Sequence, residues 1–310
     1  MERAGLIRAG NHRALAALMR DLDDARPGAE AQLARLVAGT PPPFVVGITG
    51  PPGAGKSTLV DALCTRFRAA GQRVGIVAVD PSSPLRGGAI LGDRVRMQKH
   101  ATDEGVFIRS VATRGASGGL SASAAQVVAA LGAGGFSTVL VETVGVGQAE
   151  LDIATTADVT VAVTVPGLGD DVQTLKAGLL EVADVLVVNK GDRPGAERTH
   201  AELAAMLDLR HATGSPGAGA VLLRVVATTG EGVPELHAAL EALRVVAPDG
   251  RRRRRVQLRL EQLVLARISA ATRAAFAPGG AAVDLVDQIV AGQQDAETAA
   301  ALLLSRLRGG

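Results

Sequence analysis

Phe44-Val45-Val46-Gly47-Ile48-Thr49-Gly50-Pro51-Pro52-Gly53-Ala54-Gly55-Lys56-Ser57 is the stretch on which the reading of this chain turns. Its first six residues form an apolar, largely β-branched run, as expected of a strand buried on both faces. From Gly50 to Ser57 the chain matches G-x-x-x-x-G-K-[ST], and a helical pattern follows, which is the strand-to-helix context that this motif requires. Glycines let backbone N–H groups close around phosphate oxygens, and the helix N-terminus adds a favourable field. Lys56 is the candidate for neutralising charge on the β- and γ-phosphates, and the Ser57 hydroxyl is placed for Mg2+. The candidate phosphate cradle is therefore Gly50, Pro51, Pro52, Gly53, Ala54, Gly55, Lys56 and Ser57.

Working outward, strand-like runs recur at 73–79, 106–112, 137–142, 159–165, 184–189 and 221–226, with helical patterns at 56–70, 121–132, 171–182, 196–208 and 233–246. Alternating buried strands and helices predict an α/β fold built on a doubly wound, mostly parallel sheet. Upstream, residues 11–37 read as helices: Asn11 is placed as a cap, and Leu15, Leu18, Met19 and Leu22 repeat at helical spacing. Pro41-Pro42-Pro43 ends that region, because proline disfavours helix at its own position and before it. Downstream, Arg251 to Arg255 form a run of five arginines, readable as a solvated linker or helix start, or alternatively as a phosphate-binding patch. Beyond it, Leu260, Val264 and Ile268 share one helix face and Ala300, Leu303, Leu304 and Leu307 another. Such faces need a surface to bury against, so the chain divides into N-terminal helices (1–42), a P-loop domain (43–250) and a helical dimerisation arm (251–310).

A phosphate loop alone leaves ATP and GTP open. Asn189-Lys190-Gly191-Asp192, at the end of the strand 184–189, chooses guanine, because a carboxylate accepts two hydrogen bonds from guanine N1–H and N2–H2 and adenine offers no such pair. The plain alternative is a surface turn. Val226, Ala227 and Thr228 end the seventh strand, where backbone amides can meet the guanine carbonyl. The strand 137–142 ends on Glu142, which can hold Mg2+ through water, while Gly145 can bring its N–H to the γ-phosphate; both are candidate catalytic residues with Lys56. Asp80 and Asp93 are further Mg2+ candidates, with capping or turn roles as the alternative.

Composition narrows the partners. The chain has 310 residues, and 33 Lys+Arg against 31 Asp+Glu leave a formal charge of only +2, too balanced to make nucleic acid the main partner. Tyr and Trp are absent, which leaves no stacking platform for single strands. One cysteine, Cys64, excludes a disulfide framework and any multi-cysteine metal site within the chain, and it suits a reducing cytoplasm. The start of the sequence has no apolar signal region, and no run is long enough for a membrane span.

These residues together resemble the MeaB/ArgK-type GTP-binding proteins, chaperones of adenosylcobalamin-dependent acyl-CoA mutases. The matching blocks are GPPGAGKST (50–58), VDPSSP (79–84), GGAILGDRVRM (87–97), TRGASGGL (113–120), VETVGVGQAE (141–150), PGLGDDVQTLKAG (166–178) and VVNKGD (187–192). The resemblance implies GTP and GDP as ligands with Mg2+, and adds Thr58 to the phosphate cradle. It implies guanine contacts from Asn189, Lys190 and Asp192 with 226–228 nearby, and Mg2+-linked roles for Ser57, Asp80, Asp93 and Glu142. It also implies a homodimer, an acyl-CoA mutase partner of the methylmalonyl-CoA type or a close relative, a cobalamin adenosyltransferase as an indirect partner, and a mobile segment at 166–178 that links nucleotide state to the mutase. The chain departs from the family pattern at Ala149, where serine is usual, at Val226-Ala227 in place of Ser-Ala, and around Asp295-Ala296-Glu297, where a Pro-aromatic pair is common.

Val146 follows Gly145 where fast-switching GTPases carry a water-orienting Gln, so hydrolysis is expected to be slow until a partner binds. Related GTPases that load nickel or cobalt carry Cys/His clusters, whereas the five histidines here (12, 100, 200, 211, 237) are scattered. Two other readings compete: a P-loop kinase of the kind once assigned to ArgK-like sequences, and a nucleic-acid-associated GTPase using Arg251 to Arg255.

Overall fold

The computed structural model describes residues 3–81, 98–100, 102–113, 119–143, 153, 156–167, 177–214, 219–245 and 248–308. They form two compact units, Met1–Val256 and Gln257–Gly310.

The first unit is built on seven strands: β1 (Phe44–Thr49), β2 (Val74–Pro81), β3 (Val106–Thr113), β4 (Thr138–Thr143), β5 (Val159–Thr164), β6 (Val185–Asn189) and β7 (Val221–Val225). All seven apolar runs seen in the sequence are strands, and each falls within two residues of its expected limits. Every pairing is parallel, in the order β3-β2-β4-β1-β5-β6-β7. From β1 the chain crosses to one side of the sheet to lay down β2 and β3, and after β4 it crosses to the other side for β5, β6 and β7. That reversal places the carboxyl ends of β1, β4 and β5 at the switch point where open α/β sheets take ligands.

Helices cover both faces, which matches the largely apolar inner strands, while the edge strands β3 and β7 carry Arg109 and Arg224. On one face α4 (Lys56–Ala69) and a helix at Val233–Val245 bury Leu59, Leu63, Phe67, Leu236 and Leu240 against Val46, Ile48, Val161 and Val187. On the other, the helix Gly119–Ala133 buries Val127 and Leu131 against Val45, Val77 and Val139. The N-terminal helices α1 (Arg3–Arg8), α2 (His12–Asp23) and α3 (Ala29–Val37) join that second core through Ile7, Leu15, Leu18, Met19 and Leu36. Asn11 caps α2 as its position in the sequence suggests, with its side chain accepting from the Ala14 N–H at 2.9 Å. Helix α1 was not expected, because six residues are too few to display a period. Helices Ala177–Val182 and Ala196–Thr213 close the β6 side.

A 28-residue helix, Pro248–Ala275, contains the arginine run and continues into the second unit, where Val283–Val290 and Ala296–Arg308 follow. The small core there is Ala275, Ala282, Leu285, Ala299 and Leu303. The face expected from Ala300, Leu303, Leu304 and Leu307 is thus rotated. Leu303 is buried with Ala299, one turn before it, whereas Ala300 and Leu304 are exposed, because the helix Val283–Val290, unseen in the sequence, supplies the packing surface. Leu260, Val264 and Ile268 are exposed along the long helix. Among the described residues, no helix is long and apolar enough to cross a membrane.

Candidate guanine-nucleotide site

The loop from β1 into α4 is shaped by its glycines. Gly50 has φ +145°, and a Cβ there would run into the Val163 carbonyl oxygen of β5, so only glycine lets the chain leave β1 at this angle. Gly55 has φ +83°, and a Cβ would stand 2.5 Å from Asn189 Nδ2. Directly after it α4 begins at Lys56, with no side chain capping its N-terminus. The helix dipole at this end adds a field that favours an anion. The Lys56 ammonium is buried and curls back over the loop, donating to the carbonyls of Gly50 (2.8 Å) and Pro51 (2.9 Å).

Glu142, at the end of β4, is buried, and its Oε1 accepts from the Ser57 hydroxyl at 2.6 Å. Next to it, Thr143 Oγ1 donates to Thr49 Oγ1 at 3.1 Å, which ties the ends of β4 and β1 together. A hydroxyl and a carboxylate meeting beside a phosphate cradle form a hard oxygen donor set, which fits a small divalent cation such as Mg2+. The backbone of Asp80 lies near the end of β2, two residues past Ala78, the register partner of Glu142. Asp93 and Gly145 lie outside the described residues, as do 82–97 and 144–152.

The Asn189-Lys190-Gly191-Asp192 loop stands against the phosphate loop. Asn189 is 2% exposed; its Nδ2 donates to the Ala54 carbonyl at 2.8 Å, and its Oδ1 accepts the Ala227 N–H at 3.2 Å. Lys190, in a left-handed conformation at φ 55°, donates from Nζ to the Gly53 carbonyl at 2.7 Å. Asp192 follows, exposed. The three sequence-distant segments at 50–58, 189–192 and 226–228 are thereby brought together by side chains that no spacing rule would have paired. Within 226–228, the Val226 N–H bonds Glu231 O (2.9 Å) and that of Ala227 is held by Asn189. The Thr228 amide is the one in this stretch that no hydrogen bond among the described residues engages.

Sequence reasoning missed a second layer behind α4. Asp61, one turn beyond Ser57, is buried and accepts from Lys99 Nζ at 2.7 Å, with His100 Nε2 3.1 Å away. Lys99 and His100 sit in a short 3-10 turn (Gln98–His100) just after the stretch that carries Asp93. One turn further along α4, burial pushes the Cys64 thiol up to about 12. Near the end of α4, Arg68 makes a two-pronged bond to Asp103 at 2.8 Å from both Nε and Nη2. A lone Asp or Lys in a helical pattern carries no sign of such a long-range partner.

The family described as Methylmalonyl Co-A mutase-associated GTPase MeaB matches residues 13–277. A Pyrococcus horikoshii protein named as a GTPase is 43% identical over 309 residues, spanning 98% of this chain and 96% of its own length. GTPase ArgK of Escherichia coli is 40% identical over 202 residues, 64% of this chain and 60% of that protein. A crystal structure titled LAO/AO transport system kinase superposes with a TM-score of 0.71 at 25% identity, covering 99% of this chain and 97% of that one. A phosphate loop joined through Asn189 and Lys190 to a guanine-type loop, on an all-parallel sheet, agrees with these likenesses: the chain belongs to the MeaB family of methylmalonyl-CoA mutase-associated GTPases and is itself a GTPase.

Proposed function

We propose that this GTPase is a chaperone that gates the loading of adenosylcobalamin into an acyl-CoA mutase, methylmalonyl-CoA mutase or a close relative, and protects the loaded enzyme. The observation that carries the nucleotide part is the pair of bonds from Asn189 and Lys190 to the phosphate loop, since they set the base-reading loop and the phosphate cradle at one site. The family description, over residues 13–277, supports the mutase as partner.

In this reading the amides of 50–58 and the α4 N-terminus bind the phosphates, and Lys56 leaves the Gly50 and Pro51 carbonyls to neutralise the β- and γ-oxygens. Asp192 accepts from guanine N1–H and N2–H2, while the Thr228 amide faces the base carbonyl. Asn189 acts as a positioning residue, its own amide being committed to Ala54 and Ala227. Ser57 and Glu142, joined by Asp80 and Asp93, are the residues that would hold Mg2+, which supplies neutralisation of charge on the transferring phosphoryl group. Gly145 serves the γ-phosphate. Turnover is slow alone and stimulated by the mutase, and the segment 166–178, of which 168–176 lie outside the described residues, carries the coupling. The protein works as a homodimer through 251–310, in the cytoplasm, with no nucleic-acid or membrane partner.

The test is phosphate release from GTP with and without a saturating acyl-CoA mutase. Acceleration of roughly 5-fold or more is expected, in the range of ordinary allosteric coupling, together with faster cofactor loading in GTP than in GDP. No acceleration and no nucleotide effect on loading would remove the chaperone role. Turnover that needs an added phosphoryl acceptor would favour the kinase reading instead.

A further inference from the structure

The N-terminal helices line an open cleft of about 600 Å3 that the nucleotide site does not use. Among the described residues it is lined by Arg3, Arg8, Arg26 and Arg35 and by one acid, Asp21, a formal excess of three positive charges in that set. Its lining residues all come from α1, α2, α3 and the turn between the last two, so none belongs to the phosphate loop or the guanine loop. Four arginines lining one cleft leave it positively charged, which favours an anion there.

Asp21 does part of that. It accepts from Arg3 Nη1 at 2.6 Å and lies 3.4 Å from Arg26 Nη1, and the Arg3 hydrogen bond, ahead of every other influence, holds its carboxyl below the usual carboxylate range. Arg26 Nη2 also lies 3.7 Å from Asp24 Oδ2, which leaves the donors of Arg3 as the ones to account for. Nε and Nη2 of Arg3 are shut off from water and make no hydrogen bond among the described residues. Buried guanidinium N–H groups without partners are rare in folded proteins and call for an acceptor. Turning the Arg3 fork onto an anion in the cleft exchanges the Nη1 bond to Asp21 for new charge-assisted bonds that engage Nε and Nη2. Arg8 reaches the Arg35 carbonyl by only a long 3.4 Å contact, and Arg35 is exposed, so both guanidinium groups are available to the same anion. Among the described residues the lining holds no aromatic side chain, and planar guanidinium forks suit the oxygens of a phosphate group.

We propose that this cleft is a second ligand site, separate from the GTP site, for a small multiply charged phosphate compound. The site does not depend on the mutase reading. The protein is first saturated with GDP, so that the phosphate loop is occupied. Inorganic pyrophosphate is then titrated calorimetrically at constant ionic strength, without added Mg2+. One saturable site is expected. Arg3→Lys keeps a cation beside Asp21 but loses the fork, and Arg35→Gln removes an exposed guanidinium without touching an ion pair. Each should weaken pyrophosphate at least 5-fold while GDP affinity and the thermal midpoint stay unchanged. Should Arg3→Lys fold poorly, Arg35→Gln alone decides. Absence of saturable binding up to about 10 mM, or wild-type binding in Arg35→Gln, overturns the site. So does pyrophosphate binding that appears only when GDP is left out.

Discussion

Asn189 and Asp192 belong to one four-residue motif and do different work. Asp192 is exposed, so Asp192→Asn should leave stability unchanged while exchanging the acceptor pair proposed to read guanine. GTP affinity is expected to fall by about 2–3 kcal/mol, with xanthosine triphosphate gaining in its place, and calorimetry with both nucleotides checks this. Asn189 is buried and bridges Ala54 to Ala227. Asn189→Ala strands a carbonyl and an N–H, and should cost about 1–3 kcal/mol in urea unfolding besides loosening nucleotide. Cys64 offers a third check. Because burial raises its thiol to about 12, the thiolate is scarce at pH 8, and maleimide should label the native protein only at the rate of unfolding. Prompt native labelling would mean that α4 opens locally.

At the scale of elements, the bond between Arg68 and Asp103 fastens the end of α4 to the turn that leads into β3. The Arg68 guanidinium first, and the Gly105 N–H after it, hold the Asp103 carboxyl below its ordinary 3.8. A depressed folded value means that the contribution is fully present above that ordinary value and is lost as pH falls through the lower one. Asp103→Asn should therefore melt earlier than the wild type at pH 7, with the difference shrinking below about pH 4. Thermal melts from pH 7 to pH 3 test this, and a constant difference across the series would refute it.

For the whole molecule, the question is what covers the long helix Pro248–Ala275. Val256, Leu260, Val264 and Ile268 recur every four residues and are between 46% and 61% exposed, a continuous apolar stripe rather than scattered surface residues. Dimerisation through this arm predicts that removing 257–310 yields a monomer that keeps wild-type GDP affinity, since every described residue of the nucleotide site lies in the unit Met1–Val256. Light scattering on both forms decides it. A full-length monomer at tens of micromolar (roughly, for a weak interface) would end the arm reading.

Local chemistry determined much of this protein before any folding was considered. The strand runs were legible because strands packed on both faces are largely apolar, and Gly50 to Ser57 because the turn out of β1 demands glycine at Gly50 and Gly55; for Asn189 to Asp192 the guanine-reading role remains the proposal. The cap at Asn11 was legible because a side chain and an N–H three residues on meet wherever the chain turns into a helix. Partnerships across the chain were decided only by tertiary structure. Asn189 with Ala54, Glu142 with Ser57, Asp61 with Lys99 and Arg68 with Asp103 join residues that no period relates, and they meet through the fold: β4 lies beside β1, for example, which brings Glu142 to Ser57. The rotated face of the last helix has the same cause: amphipathic spacing limits which residues can be buried together, but the surface that arrives beside them chooses which are.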